Sequence, residues 1–317
     1  MNTSSNLHPI TQFEIENYKS LDRVCVDLHP EITIFVGQTA SGKSNLVDAL
    51  HFLRDVSFGK LDQAVLSRGG ISRIRQSSKN RTSPIRLKIV GKTSEIKNDD
   101  FYYSFDLKPS SDGRYSLQNE RVNSDWVKSI PKKWIFSSLD PKVMRQLGIK
   151  NYSNNLKEDI SNWASFIRTS IKMPHGQKML DRVVEIMKVM LPDFQGVTVS
   201  TAGSYLVPYF HFSNQNGKSH FDPVQLSDGT LRIFGLLLSL YQCPPPSLIV
   251  IEEPEQFIHP SVLAMLVDVF KEVSEVTQLI ITTHSPHLLE HFSPEHIRVV
   301  SIVNGLTQID SLRTSHD

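Results

Sequence analysis

The chain is poor in cysteine, nearly neutral in charge and without a long unbroken apolar run, and each shortage removes a class of protein. Cys25 and Cys243 are the only cysteines in 317 residues. Two are too few for a disulfide framework or a thiolate metal cage, which points to a reducing, cytoplasmic compartment. Formal net charge is +1, so no global basic field advertises a polyanion, and any nucleic acid would need a local patch. The longest uncharged stretch, residues 233–251, approaches the roughly 20 residues that cross a bilayer. Pro244, Pro245 and Pro246 divide it into a helix, a turn and a short strand, so neither a membrane span nor a membrane partner is expected. The amino end, residues 1–6, is polar and lacks the basic and apolar parts of a secretory signal. No internal repeat or low-complexity tract is visible. What is present, 39% hydrophobic and 21% charged residues, suits a globular chain with a large core.

Periodicity outlines the fold. Residues 11–18, 24–28 and Ile32–Val36 are short β-prone runs between turn formers, so the first hundred residues are predicted to be strand-rich. After Gly42 the period changes, and Leu46, Leu50 and Leu53 fall on one helical face. Residues 85–90 and 101–107 alternate again, as antiparallel strands do. From 109 to 194 the chain reads as an inserted, mainly helical subdomain. Its stripes, Leu156, Ile160, Trp163, Ile167 and Leu180, Val184, Met187, Leu191, are read as core-facing. The last third alternates helix and strand: helices at 231–240 and 262–273, buried strands at 248–251 and 279–282, then a helix opening at Ser285-Pro286. That order requires an α/β domain with a parallel sheet. The expected partition is 1–108, 109–194 and 195–317.

Gly37-Gln38-Thr39-Ala40-Ser41-Gly42-Lys43-Ser44 fits G-x4-G-K-S between an apolar strand and a helix, the context this phosphate-loop motif needs. Glycines let backbone N–H groups curl around phosphates, and the helix amino terminus adds partial positive charge. Lys43 would reach the β- and γ-phosphates of ATP, and the Ser44 hydroxyl would ligate Mg2+. Residues 248–251 form an apolar strand ending in Glu252 and Glu253. Beside a phosphate loop, one carboxylate can hold the metal and the next can polarise a water; alone, the pair reads as a solvated strand end. His284 follows a second buried strand, either as a structural histidine or as a γ-phosphate sensor at a sheet edge where ligands gather. Ser227 and Gly229 precede the next apolar helix, and taken alone they read as an ordinary helix cap.

In order along the chain, the phosphate loop, Leu226-Ser227-Asp228-Gly229-Thr230, Ile251-Glu252-Glu253-Pro254-Glu255 and Thr282-Thr283-His284-Ser285-Pro286 resemble the ABC-class ATPase heads of the RecF, SMC and OLD group, often called AAA-family ATPases in bacterial genomes. The opening run Phe13-Glu14-Ile15-Glu16-Asn17-Tyr18-Lys19-Ser20-Leu21 and the run Gly42 to Leu50, which includes Asn45, are similar to that group as well. The resemblance covers about 10–108 and 195–303, leaving the middle unmatched. It implies an α/β fold: a P-loop ABC-type ATPase head with an antiparallel β subdomain and an inserted helical subdomain. It also implies roles. Residues Gly37 through Asn45 would bind the nucleotide, with Lys43 acting in catalysis too, and Ser44 and Glu252 would hold Mg2+. Glu253 would be the base for the attacking water and His284 the switch histidine. Ser227 and Gly229 would be signature residues that act across an ATP-sandwiched homodimer.

Some positions depart from the group's pattern. Glu252 stands where aspartate is commoner, Gln38 and Thr39 where proline and asparagine are usual, and His259 where an aspartate often follows. Gln76 is the best candidate for the Q-loop glutamine. Residues 60–97 hold ten Lys or Arg (Lys60, Arg68, Arg73, Arg75, Lys79, Arg81, Arg86, Lys88, Lys92, Lys97) against Asp62 and Glu95. Such a run is either a solvated face or a footprint for DNA phosphates. His287 and His291 lie four apart without an evident third ligand. The expected activity is Mg-dependent ATP hydrolysis coupled to DNA or a partner protein, in DNA repair or anti-phage defence. The competing reading is a slowly turning nucleotide-gated scaffold that holds a separately encoded effector nuclease. A transporter subunit fits less well, given the insertion and the lack of a clear Q-loop coupling segment. An OLD-type nuclease would need a carboxylate-rich Toprim segment, which these residues do not contain.

Overall fold

Ile32–Val36 is buried along most of its length, and so are Leu248–Glu252 up to its last residue and all of Gln278–Thr283. Runs of this kind, apolar on both faces, belong in the middle of a parallel sheet. In the computed structural model, which describes residues 8–76, 83–93, 100–110, 113–215 and 217–312, they do. Ile251 lies beside Ile281 and Ile281 beside Ile34, all parallel, and Ile297–Val303 adds a fourth parallel strand with Ile297 opposite Ile34. Leu306–Ser311 closes that edge as the antiparallel arm of a hairpin. Because the registers match, the carboxyl ends of three neighbouring strands finish side by side at Val36, Glu252 and Thr283.

The chain divides into two compact units. The first comprises residues 1–134, 247–253 and 274–317, and the second 135–246 and 254–273. Besides the parallel sheet, the first unit holds a five-stranded antiparallel sheet ordered Leu21–Asp27, Ile10–Tyr18, Ile85–Lys92, Asp100–Pro109, Tyr115–Val122. Ile10, Phe13, Ile15 and Tyr18 point inward with Ile85, Leu87, Ile89, Phe101, Tyr103, Phe105 and Leu107, the alternation that a half-buried sheet demands. The second unit carries a smaller antiparallel sheet centred on Tyr205–Asn214, which pairs with Gly148–Ile149, Phe194–Ala202 and Gly217–Phe221. The helices Trp163–Ser170, Pro174–Met190, Asp228–Leu240 and Pro260–Ser274 complete it. Its core is an aromatic cluster: Trp163 meets Phe234 edge-on at 5.7 Å, and Phe210 meets Phe234 at 4.9 Å. The buried Trp163 indole N–H donates to the Met144 carbonyl at 3.1 Å.

The units cut the chain differently from the partition expected from sequence. Residues 109–134 stay with the first unit because Tyr115–Val122 extends its antiparallel sheet. Residues 195–246 and 254–273 join the middle of the chain; within that group, Arg182 on Pro174–Met190 pairs with Glu272 on Pro260–Ser274 at 2.6 Å. The first expected helical stripe is also corrected. Helix begins only at Trp163, whereas Ile160 has a φ of 51° and lies between turns, so Leu156 and Ile160 are buried from a loop. In Pro174–Met190 the buried face is Met179, Leu180, Val183, Ile186, Met187 and Met190, so Val184 lies off the buried stripe and Leu191 beyond the helix end. The helix opening at Ser285-Pro286 is a single turn, Pro286–Leu289. Among the described residues, no helix is long and apolar enough to cross a membrane.

Gln278, 1% exposed, fastens the two sheets of the first unit. Its side chain accepts from the Ile10 N–H at 2.9 Å and donates to the carbonyls of Ile10 at 2.7 Å and His29 at 2.9 Å. Gln278→Leu preserves volume but orphans these buried backbone groups. It should cost about 3 kcal/mol, read as a lower urea midpoint with unchanged slope.

Candidate nucleotide site

The loop from Gly37 to Gly42 leaves Ile32–Val36 and enters the 15-residue helix Lys43–Ser57. Gly42 caps that helix with a φ of 103° and no side-chain hydrogen bond, so the first-turn N–H groups keep the orientation that suits an anion. A Cβ on Gly42 would overlap the Thr307 hydroxyl, and one on Gly37 would overlap the Val300 carbonyl oxygen. Both glycines are therefore demanded by the hairpin that backs the loop. Gln38, Thr39 and Ala40 are exposed, Ala40 with a φ of 64°, whereas Ser41 is buried.

Lys43 is 5% exposed, and its ammonium donates to the carbonyls of Gly37 at 2.8 Å and Gln38 at 3.0 Å. It also approaches His284 Nδ1 at 3.5 Å. An ammonium can only donate, so in this contact Nδ1 accepts and the ring proton sits on Nε2. That nitrogen meets Glu253 Oε1 at 3.0 Å. Glu253 has a φ of 47°, and its N–H donates to the Thr282 carbonyl at 2.8 Å. A non-glycine residue in that region signals strain, which here aims the carboxylate towards His284. The Ser44 hydroxyl donates to Glu252 Oε2 at 3.1 Å.

Glu252 retains a solvent-open edge, yet the protein crowds its carboxylate. Burial pushes its pKa up, the Ser44 hydrogen bond and Lys43 oppose this, and the charges of Glu253 and Asp48 add to it. A carboxylate that is costly to ionise, beside a hydroxyl, is a donor set that a hard divalent cation would relieve, so Ser44 and Glu252 fit Mg2+. The geometry thus brings together Lys43, Ser44, Glu252, Glu253 and His284, three of them from parallel strand ends.

Other expected residues fall elsewhere or do other work. The Asn45 amide donates to Ser20 Oγ at 2.7 Å, so this side chain braces the helix start. Gln76 is buried, and its backbone N–H bonds to Asn17. Ser227 and Gly229 lie in the second unit. Ser227 is exposed and caps Asp228–Leu240 by accepting from the Thr230 N–H at 3.1 Å. His259 is exposed, shares a hydrogen bond with the Ser261 hydroxyl at 2.8 Å, and belongs to the second unit as well. His287 pairs with Glu290 at 3.8 Å, and His291 lies beyond the end of its helix.

Of the basic run, Arg68 binds Asp48 and Asp55 at 2.7 and 3.0 Å, Arg86 binds Asp106 and Glu16 at 2.8 and 3.0 Å, and Lys88 binds Glu14 at 2.6 Å. Those three charges neutralise local carboxylates. Lys79, Arg81 and Lys97 lie outside the described residues.

Sequence reasoning assigned no role to two sets of residues. Ser20 Oγ and Thr307 Oγ1 lie 2.6 Å apart, and Thr307 Oγ1 donates to the Ser41 carbonyl at 3.2 Å, fixing the loop from behind. Asp48, on the loop's helix, collects Tyr18 at 2.6 Å, Lys19 at 2.5 Å and Arg68 at 2.7 Å. Burial alone would raise the Asp48 carboxyl, but the Arg68 guanidinium and the hydrogen bonds from Lys19 and Tyr18 outweigh it and hold the pKa below the usual range. Polar residues separated by so much sequence leave no local pattern to read.

A family model described as "AAA domain, putative AbiEii toxin, Type IV TA system" matches residues 32–290, well over half the chain. The chain belongs to this family. Curated relatives of the AAA domain include the DNA replication and repair protein RecF of Lactococcus lactis subsp. cremoris, 41% identical over 44 residues. That match covers 14% of this chain and 12% of RecF. RecF of Lysinibacillus sphaericus is 28% identical over 78 residues, covering 20% of this chain and 21% of that protein. The matched stretch is thus a small fraction of these relatives' length. Among solved structures, an Smc head bound to the C-winged helix domain of ScpA superposes with a TM-score of 0.71 at 18% identity, covering 97% of this chain and 98% of that one. An Smc head derived from Pyrococcus furiosus gives 0.65 at 15% identity, covering 96% of each chain. The fold is that of an ABC-class ATPase head of the RecF/SMC type, with the antiparallel and parallel sheets the motifs implied.

Two outcomes test the site. Lys43→Ala removes the loop's buried cation and should weaken ATP binding at least tenfold, about 1.4 kcal/mol by calorimetry, in a chain that still folds. Glu252→Gln should raise the melting temperature near pH 7 in the absence of nucleotide and Mg2+. A carboxyl whose folded pKa exceeds its unfolded one contributes most below the unfolded value, and its contribution falls as pH rises through the folded one. The gap between variant and wild type should therefore shrink towards pH 4, and a gap constant with pH would assign it to packing.

Proposed function

We propose that this ATPase head binds Mg-ATP, closes as a homodimer across two nucleotides and hydrolyses them, coupling nucleotide state to a partner protein or DNA. The observation that carries the reading is the chain of contacts Lys43–His284–Glu253 at 3.5 and 3.0 Å, beside the Ser44–Glu252 pair. In this reading the loop amides and Lys43 hold the β- and γ-phosphates. Ser44 and Glu252 hold Mg2+, which supplies charge neutralisation when bound. Glu253 accepts the proton of the attacking water as its oxygen bonds to the γ-phosphorus and the bond to the β–γ bridging oxygen breaks, leaving ADP and phosphate. His284, donating from Nε2, orients Glu253. The exposed amino terminus of Asp228–Leu240, with Ser227 and Gly229, would face the nucleotide held by the other copy, since N–H groups of a helix start stabilise phosphate only within hydrogen-bond reach.

The neutralisation of Arg68, Arg86 and Lys88 by local carboxylates favours a protein over DNA as the coupled partner. It gives weight to the scaffold reading, in which slow turnover gates a separately encoded effector. Roles in DNA repair or anti-phage defence are extensions of either reading.

A single pair of variants tests hydrolysis and closure together. Glu253→Gln keeps shape but loses basicity, so with Mg-ATP it should lose turnover by at least a hundredfold and accumulate at dimer mass in light scattering. Adding Ser227→Arg to the same chain should return it to monomer mass while nucleotide binding persists. Wild-type turnover in Glu253→Gln would move the base elsewhere, and a dimer that survives Ser227→Arg would reject the sandwich.

A further inference from the structure

His29 and Glu31 lie in the turn that precedes Ile32–Val36, and His296 lies in the turn that precedes Ile297–Val303. The two strands are parallel neighbours, so the turns meet at the amino end of the sheet. The phosphate loop leaves Ile32–Val36 at its other end, a full strand away. The His29 and His296 rings lie with centroids 4.3 Å apart, their planes tilted by 52°. One ligand atom from each of His29, Glu31 and His296 lies within 4.8 Å of the others. Both histidines are half-buried and Glu31 is exposed.

We infer that His29, Glu31 and His296 form a binding site for a divalent transition-metal ion of the zinc class, serving as a clamp between two strands of the ATPase sheet. Two imidazoles and a carboxylate are a nitrogen-rich donor set that suits zinc, whereas Mg2+ and Ca2+ take oxygen ligands, so the ion that serves the nucleotide does not compete here. With metal–nitrogen bonds of about 2.0–2.1 Å, ligand atoms on one tetrahedral ion sit about 3.3 Å apart. Closing from the present spacing needs only side-chain rotation, which an exposed Glu31 allows. His296 Nδ1 lies 3.3 Å from the Ser293 carbonyl. A carbonyl oxygen can only accept, so that contact puts the ring proton on Nδ1 and leaves Nε2 for the metal, the second-shell arrangement typical of ligating histidines. At His29 the Glu31 N–H donates to Nδ1 at 3.3 Å, a long bond readily given up. Water would fill the fourth position.

The site is preorganised. Arg298, 8% exposed, donates to the carbonyls of Asp27 and Glu295 at 2.7 Å each and of Ile297 at 3.0 Å, knotting the same two turns. Its guanidinium opposes a cation, and the carboxylates of Glu31 and Glu295 offset it. Because Arg298 holds the turns without a metal, removing the histidines should not unfold the chain.

The test uses the chelator-treated 317-residue chain titrated with ZnCl2 by calorimetry, with folding of each variant checked by circular dichroism. Wild type should bind one tight equivalent. His29→Ala/His296→Ala should bind at least about a hundredfold more weakly, since disturbing second-shell partners alone costs about 10–100-fold. Glu31→Gln should fall between them. Zinc should raise the melting temperature of the wild type and not of the double variant, while Mg-ATP affinity stays the same in both. In CoCl2, wild type should show the intense visible bands of four-coordinate cobalt. Equal zinc affinity in wild type and the double variant, or the pale spectrum of six-coordinate cobalt, would overturn the site and leave the two imidazoles as a packed pair.

Discussion

The helix that follows the phosphate loop starts on Gly42 with no side-chain cap, and much of the first unit is arranged to hold the loop in place around that bare start. A helix start normally recruits a side-chain cap, as Ser227 does for its own helix. The start of Lys43–Ser57 has none, only Gly42 in a left-handed conformation. The loop is held instead from its other side, by the Ser20–Thr307–Ser41 hydrogen bonds and by the Val300 carbonyl lying against Gly37. Lys43 then occupies the cradle with its ammonium on the loop's own carbonyls. A buried cation whose short hydrogen bonds go to neutral carbonyls favours an anion placed beside it.

The acidic side of the site follows the same logic in reverse. Parallel pairing sets Glu252 opposite Thr282 and Thr283 opposite Val36, so register alone delivers one carboxylate to the loop and places His284 next in chain. Glu253 reaches His284 only through a backbone conformation that glycine would adopt more cheaply. Crowding of Glu252 and strain at Glu253 are both destabilising in the free chain. They are the kind of local conflict expected where function has been placed ahead of stability.

Much of this was legible from the residues. The buried strands declared themselves because a strand covered on both faces is apolar without alternation, and the observed bounds at Ile32–Val36, Leu248–Glu252 and Gln278–Thr283 lie within a residue of those expected. The loop motif was legible because its glycines and lysine are contiguous. The middle of the chain misled where burial did not come from regular structure: Leu156 and Ile160 are core residues on turns, and their spacing imitates a helix. Domain limits misled because Pro260–Ser274, read from its neighbours in sequence, groups with residues 135–246. The braces of the site were invisible for a third reason. Ser20 and Thr307 are 287 residues apart, and Asp48 draws on the adjacent Tyr18 and Lys19 and on Arg68 from two other stretches of chain. Nothing local marks such residues, since each is an ordinary polar residue until the fold joins them.

Ser227 and Gly229 differ in what the fold asks of them. A Cβ on Gly229 would overlap the Phe257 carbonyl oxygen within the second unit, so packing alone demands glycine there, whatever the nucleotide does. Ser227 is different. It is exposed, and its hydroxyl contacts are with Thr230, one turn along the same helix. Threonine, aspartate or asparagine would serve that cap nearly as well. The salt bridge of Arg145 with Asp228 at 2.6 Å, and its hydrogen bond to the Leu226 carbonyl at 2.8 Å, fix the approach to the helix without involving Ser227. A change at Gly229 therefore perturbs folding whatever else it does. A change at Ser227 perturbs a surface that folding hardly uses, and this makes Ser227 the position from which the proposed closure can be tested.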